Sequence, residues 1–211
     1  MSLEPVGEVE LPAHHRPGGF DHAAVHGRQG RVYAAHTAND AIDVIDCASN
    51  TYRGSITGLD SVAGALVCEA QDLVFTSNRG EKTVEIFPVD QEAALVKVKV
   101  GLRPNGLAYD PGRRLLLAAN VGEPSRPGSF SLSMVDVGDR AMIADIPVPG
   151  RTRWTVFDGD RLVLRQHRRP ASDRRRGGRE PQSRGSYLRS LGRGPTWAGP
   201  GYRCSEAVLR M

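Results

Sequence analysis

The sequence predicts an all-β fold, and three observations lead to this prediction. Short runs rich in β-branched and aromatic residues are separated by Gly, Pro, Asn and Asp, which is typical of strands and turns. The segment at residues 31–46, RVYAAHTANDAIDVID, returns twice in similar form. Tyr33, Phe75 and Leu117 mark its equivalent positions, 42 residues apart at each step.

A period of about 40–45 residues with several short strands in each unit indicates the four-stranded antiparallel blades of a β-propeller. A single blade cannot bury both of its faces, so neighbouring blades have to stack. We therefore predict an incomplete propeller of about three blades plus part of a fourth. The predicted blades span residues 17–59, 60–103 and 104–150, and a fourth begins at residues 151–164.

Each predicted strand is an alternating or β-branched run between two turn signals. In the first three blades these runs are residues 20–25, 31–37, 41–47 and 51–57, then 62–67, 72–77, 83–89 and 94–100, then 106–109, 114–120, 129–137 and 141–148. The fourth blade starts with residues 154–157 and 161–164. Residues 4–11 also alternate, and we predict that they form an outer strand that completes the last blade, as ring propellers commonly close.

The composition changes at residue 165. Residues 165–211 hold 12 arginines against three acidic residues, a charge of +9, and the overall charge of +4 therefore leaves −5 for residues 1–164. We predict a disordered Arg-rich tail, because this segment has no alternation and few β-branched residues. We interpret it as out of frame from about Leu164, since CGN arginine codons read one base later encode Val, Ala, Asp, Glu or Gly.

The repeats resemble the YVTN-type, YncE-like family of β-propeller proteins, whose repeats are WD40-like. The resemblance covers roughly residues 5–164 and is carried by RVYAAHTANDAIDVID, LVFTSNRGEKTVEIFPVD, LLLAANVG…SLSMVD and the connector RPNGLAYDPGRRL. It implies the architecture and says little about activity, because the family is functionally mixed. Its members usually have seven blades, so the resemblance implies that this chain is a truncated copy.

Several function classes lose support from the sequence. No apolar run is long enough for a membrane helix, and the start has no leader pattern, so we predict a cytoplasmic protein without a membrane partner. The motifs GxSxG, HExxH, Walker A and GxGxxG do not occur, and Cys47, Cys68 and Cys204 have no CxxC spacing. We predict no cofactor, no bound metal and no catalytic residue.

The candidate site is the face that gathers the turns after the second strands and the connections into the first strands. The predicted ligand-binding residues on this face are His22, His36, Asn39, Asn78, Arg79 and Asn120. His36, Asn78 and Asn120 occupy equivalent positions, which suggests a polar ring around a ligand. Ordinary turn chemistry is the alternative, because Asn tolerates the left-handed backbone conformation and bonds to its own backbone.

A metal site at His22 and His26 is disfavoured by strand geometry. The two histidines share one face of a strand, but four residues at 3.3 Å each separate them by about 13 Å. One metal ion does not easily span that distance. We expect both to be polar histidines with protein partners.

Three functions are compatible with these observations. The leading hypothesis is a non-catalytic binding or scaffold protein that holds an unknown small molecule or protein at the channel face. A lactonase-like or other hydrolase with a metal at the channel mouth is the enzyme alternative. Single-stranded DNA binding is the third, favoured by the YncE-like resemblance and the basic tail. The acidic body opposes it by repelling phosphate, so nucleic acid would bind only through the tail.

Overall fold

The computed structural model describes residues 7–157, 162–167 and 204–209, and their strands form four antiparallel sheets. Sheet 1 contains β1 (Phe20–His26), β2 (Arg31–His36), β3 (Ala41–Asp46) and β4 (Thr51–Thr57). Sheet 2 contains β5 (Val62–Cys68), β6 (Leu73–Asn78), β7 (Thr83–Pro88) and β8 (Val96–Lys99). Sheet 3 contains β9 (Pro104–Asp110), β10 (Leu115–Asn120), β11 (Ser131–Asp136) and β12 (Ala141–Pro147). Sheet 4 contains β13 (Thr152–Phe157), β14 (Leu162–His167) and β15 (Cys204–Leu209).

The first three sheets confirm the prediction of an all-β fold made of four-stranded antiparallel units. In each of them the strands pair in chain order, so every strand lies beside the next one in sequence. The short helical turns Gly27–Gln29, Thr37–Asn39 and Glu92–Ala94 join strands. No helix in the described part of the chain has the length and apolar character needed to cross a membrane.

The prediction of an outer strand at residues 4–11 is wrong for the described part of that segment. Residues 7–11 are not in a strand. The chain is attached to sheet 1 just beyond them, where the Asn39 side chain donates to the Ala13 carbonyl and accepts from the His15 amide. Alternation favours a strand only where the edge of a sheet is within reach. Here the attachment is at the turn between β2 and β3, where Asn39 lies.

The prediction of a tail without regular structure beyond residue 165 also needs correction. β14 continues to His167, and Cys204–Leu209 forms β15, which pairs along the whole of β14. The edge of β14 presents unpaired backbone N–H and C=O groups, and the short run CSEAVL can satisfy them. The average composition of the tail concealed this run. The disordered tail and its change of frame otherwise concern residues 168–203, which lie outside the described residues.

The four sheets pack face to face in chain order, and they come closest to one another at their first strands. β1 lies beside β5, β5 beside β9, and β9 beside β13. Apolar side chains fill the space between successive sheets. The core between sheets 1 and 2 includes Tyr33, Ile42, Val44, Val74 and Phe87, and that between sheets 2 and 3 includes Phe75, Val84, Ile86, Tyr109, Leu116 and Val135. Full burial of each such side chain contributes roughly 1.5–3 kcal/mol, so stacking supplies most of the stability.

Glycine allows the first strands to approach so closely. A Cβ atom on Gly64 of β5 would lie 2.4 Å from the backbone oxygen of Asn105 in β9 and 2.5 Å from Oγ of Ser77. The Ser77 hydroxyl already bridges the two sheets, since it donates to the Asn105 carbonyl at 2.6 Å and accepts from the Gly64 amide at 2.8 Å. Any side chain at this position would push sheets 2 and 3 apart.

Candidate functional site

A row of polar side chains crosses the same level of each of the first three sheets. Each row starts at the end of the second strand and continues through one residue of the third strand and one of the fourth. The three rows are His36, Asp43 and Ser55; Asn78, Glu85 and Lys97; and Asn120, Ser133 and Asp145. Strand pairing places Asp43 opposite Ser55, Glu85 opposite Lys97, and Ser133 opposite Asp145. The rows are therefore equivalent features of the repeat.

In sheet 1 the row is a hydrogen-bonded set centred on the Asp43 carboxylate. His36 Nδ1 lies 2.7 Å from Asp43 Oδ2, and both side chains are fully buried. The Ser55 hydroxyl donates to the other carboxylate oxygen at 2.5 Å. The ring of Phe20 covers His36, with 4.1 Å between the ring centroids. The two carboxylate oxygens thus tie the second, third and fourth strands of the sheet together.

In sheet 2 the same positions carry an amide and an ion pair. The Asn78 amide donates to the Thr83 hydroxyl at 3.1 Å. Glu85 Oε1 lies 3.1 Å from Lys97 Nζ as an ion pair, while the ammonium donates its hydrogen bonds to the Glu81 carboxylate at 2.8 and 2.9 Å and to the Gly58 carbonyl at 2.8 Å. Gly58 belongs to the connection between sheets 1 and 2. The row therefore fixes this connection as well as the strands.

In sheet 3 the row contains two polar neutral residues and one aspartate. The Asn120 amide donates to the hydroxyls of Ser131 and Ser133 at 2.9 and 2.8 Å. The Ser133 hydroxyl donates to Asp145 Oδ1 at 2.9 Å. Because buried polar groups need partners, each row specifies the register of its sheet.

The structure shows what His36, Asn78 and Asn120 do in the fold. All three are fully buried, and each makes a polar contact within its own sheet, although His36 Nε2 and Asn120 Oδ1 have no hydrogen-bond partner among the described residues. The alternative explanation, ordinary turn chemistry, requires a left-handed backbone conformation at these residues. In sheets 1 and 2 that conformation is found four residues after His36 and Asn78, at Asp40 with φ 53° and Lys82 with φ 59°. A polar ring around a ligand stays a prediction for these three residues.

The pKa of Glu85 is raised by the burial of this row. Desolvation raises the pKa from 4.5 to about 7, against the opposing effect of the Lys97 ammonium. A carboxyl whose pKa is higher in the folded than in the unfolded chain favours folding while it is protonated. This contribution is complete below about pH 4.5 and is lost as the pH rises through about 7.

Replacement of Glu85 by glutamine should therefore flatten the dependence of stability on pH. At pH 8 we expect the Glu85→Gln protein to exceed the parent in unfolding free energy by up to about 3 kcal/mol, and at pH 4 to equal it. Urea unfolding between pH 4 and 8 measures the difference. Glu10→Gln, at an exposed carboxylate, serves as the control and should follow the parent. A Glu85→Gln curve parallel to the parent curve would contradict the raised pKa.

A second set of polar and aromatic side chains lies at the first strands. Arg79, just after β6, donates to Asp21 Oδ2 at 2.6 Å. His22 Nε2 lies 3.5 Å from Asp21 Oδ1. The His22 ring stacks on Trp154 of β13, with centroids 4.5 Å apart and planes inclined by 24°. These four residues, which we call the inner cluster, connect sheets 2, 1 and 4.

The inner cluster contains an exception to the repeat. His22, Gly64, Gly106 and Trp154 occupy the same position of the four first strands. The backbone pairs that fix this register are Phe20 with His36, Val62 with Asn78, Pro104 with Asn120, and Thr152 with Gln166, each two residues earlier in the first strand. Sheets 2 and 3 thus carry glycine where sheets 1 and 4 carry rings, and these two rings stack on each other.

Of the predicted site residues, His22 and Arg79 belong to the inner cluster, and Asn39 instead holds residues 13–15. Sequence reasoning missed Asp21 and Trp154. The sequence did contain a signal for Trp154, because this aromatic residue stands where the second and third repeats have Gly64 and Gly106. Asp21 gave no comparable signal, because its partner Arg79 comes from a different repeat.

His22 and His26 have different partners in the structure. His26 is buried at the far end of β1, with Nε2 2.9 Å from Asp72 Oδ1. Within the described residues there is no group of three side chains arranged to hold a metal ion.

Comparison with known proteins gives a likeness of fold alone. No protein-family model and no curated protein matches the chain. The hydrazine synthase of Kuenenia stuttgartiensis has a TM-score of 0.63 at 15% identity, over 78% of this chain and 45% of that one. A nidogen/laminin complex has a TM-score of 0.59 at 14% identity, over 70% of this chain and 55% of that one. The chain thus spans about half the length of each, and both contain β-propellers.

Proposed function

We propose that this chain is a non-catalytic binding protein of the YVTN, YncE-like β-propeller type, with about three blades and part of a fourth. The 42-residue repeat, the four-stranded sheets and the likeness to propeller-containing structures support the architecture. The repeated segments RVYAAHTANDAIDVID and LVFTSNRGEKTVEIFPVD support the family. The hydrolase and DNA-binding hypotheses gain no supporting observation from the described residues.

The inner cluster is the proposed ligand site. The observation that carries this proposal is that Asp21, His22, Arg79 and Trp154 come from three sheets and form one connected set. First strands converge in this fold, so a ligand there can contact several sheets at once. Ligand sites generally combine apolar or aromatic surface with a few convergent polar groups, and the inner cluster has both.

The side chains of the inner cluster favour a particular chemical class of ligand. Trp154 is 46% exposed and offers an indole surface for stacking. Arg79 offers several N–H donors in a planar fork, which suits a carboxylate or another oxyanion. We therefore infer a small molecule that combines a planar ring with an anionic group. Such a ligand would stack on Trp154 and compete with Asp21 for Arg79.

A ligand screen followed by substitution tests the site. Planar carboxylic acids that raise the melting temperature of the full chain would be titrated by calorimetry. We expect Arg79→Ala and Trp154→Ala each to weaken binding at least about tenfold, which is about 1.4 kcal/mol. Arg53→Ala, on the outer strand β4 and paired only with Asp46 among the described contacts, is the matched control and should bind like the parent. Equal affinities in all four proteins would refute the proposed site.

A further inference from the structure

The ion pair between Asp21 and Arg79 is an exception to the repeat. Asp21 is the second residue of β1 and Arg79 directly follows β6, so the pair joins sheets 1 and 2. The equivalent positions of the next two sheets are Ala63, the second residue of β5, and Val121, directly after β10. These two residues are apolar and only 0% and 5% exposed. The fold therefore accepts an apolar pair at this place, and the repeat does not require the two charges of the inner cluster.

Each of the two charges depends on a partner, because both side chains are mostly buried. The side chains of Asp21 and Arg79 are 24% and 21% exposed, and Asp21 Oδ2 accepts from Arg79 Nη2 at 2.6 Å. The other oxygen, Asp21 Oδ1, lies 3.5 Å from His22 Nε2, and this imidazole is charged only if it is protonated. The loss of an opposite charge is costly for a partly buried charge. A ligand that brings only a carboxylate to Arg79 would leave Asp21 without its guanidinium and beside a second negative charge.

A ligand that carries both charges avoids this loss. Its carboxylate would replace Asp21 on the guanidinium of Arg79, and its ammonium group would bind the released Asp21 carboxylate. Every charge then keeps an opposite partner. In an α-amino acid the two groups are attached to one carbon atom, so they can reach two side chains that are themselves in contact.

We infer that the inner cluster binds an α-amino acid with an aromatic side chain. This inference rests on the proposed function, since it adds an ammonium group to the ligand assigned there. Arg79 binds the carboxylate, Asp21 binds the ammonium group, and the ring stacks on Trp154. Specificity is a difference between affinities, and a competing ligand that leaves a charged group of the site without a partner binds more weakly. The site should therefore prefer the amino acid to the acid or the amine derived from it.

Calorimetry of the full chain with matched ligands tests the inference. The probes are L-phenylalanine, L-tyrosine and L-tryptophan, each with the corresponding acid that lacks the ammonium group and the corresponding amine that lacks the carboxylate. The titrations are made at pH 7.5, where an imidazole of ordinary pKa is mostly neutral and does not replace the ammonium charge. We expect the amino acid that binds most tightly to exceed both of its own analogues in affinity at least about tenfold.

Neutralisation of Asp21 should change this preference. In Asp21→Asn the ammonium group of the ligand loses its partner, so we expect the affinity for the amino acid to fall at least about tenfold. The affinity for the corresponding acid should rise, because asparagine neither repels the acid nor competes for Arg79 with a full charge. Asp46→Asn is the matched control, since the Asp46 side chain is 23% exposed and pairs with Arg53 on the outer strand β4. The control should bind all ligands like the parent.

The outcomes separate this inference from the proposed site. An acid or an amine that binds as tightly as its amino acid, and is weakened by Arg79→Ala and Trp154→Ala, leaves the site in place and overturns the amino-acid ligand. Binding that Asp21→Asn, Arg79→Ala and Trp154→Ala all leave unchanged refutes the site itself. If none of the three amino acids binds at millimolar concentration, the inference is wrong, and the screen of planar carboxylic acids decides on the site. Circular dichroism of each variant establishes that the strands have formed.

Discussion

Gly64→Ala is expected to destabilise the protein by about 3 kcal/mol or more, the upper range for overpacking. The added methyl group would meet a backbone oxygen, which cannot rotate away as the end of a side chain can. To accommodate it, β5 and β9 would have to separate and the Ser77 bridge between them would break. Guanidinium unfolding monitored by circular dichroism measures the loss.

Gly150→Ala is the control for this substitution. A Cβ atom there has no other heavy atom within 4 Å, so we expect a change within about 0.5 kcal/mol. Both substitutions reduce the entropy of the unfolded chain in the same way, so their difference isolates the steric effect. Equal stabilities of the Gly64→Ala and Gly150→Ala proteins would show that sheets 2 and 3 are not held in close contact at Gly64.

Asp43→Ala is expected to cost about 3 kcal/mol, because two buried groups lose their acceptor at once. His36 Nδ1 and the Ser55 hydroxyl both bind this carboxylate, and water does not reach His36. Asp43→Asn keeps an acceptor oxygen and should lose less. Asp139→Ala, at an exposed turn, should change stability by less than about 0.5 kcal/mol. If Asp43→Ala and Asp139→Ala cost the same, the polar row of sheet 1 contributes little to stability.

Most of the fold was predictable because two independent sequence patterns, the alternation of apolar and polar residues and the 42-residue repeat, lead to the same strands. Alternation marks the strands, and the 42-residue repeat sets their grouping into sheets. Boundaries shifted where a turn competes with a strand. The predicted strand at residues 94–100 is shortened to Val96–Lys99, since Glu92–Ala94 forms a helical turn instead. The strand β15 was not predictable from composition, because its pairing depends on the free edge of β14 and not on local sequence.

The candidate site was only partly predictable. The 42-residue repeat correctly identified His36, Asn78 and Asn120 as equivalent positions, but the repeat does not show whether these side chains are buried. Their partners gave a signal that we did not use: Asp43 and Glu85 are charged residues in otherwise apolar runs and are themselves 42 apart. The stack of His22 on Trp154 was beyond sequence reasoning, because it depends on the curvature of the whole array.

That stack has an optical consequence. His22 and Trp154 belong to the first and the last sheet, so any opening or tightening of the array changes the separation of their rings. Indole fluorescence is quenched by contact with an imidazole, and Trp154 is one of only two tryptophans in the sequence. With Trp197 replaced by phenylalanine, the emission of a single residue would follow the curvature of four sheets. Trp154 would therefore serve as an intrinsic fluorescent probe of how closely the first and the last sheet approach each other.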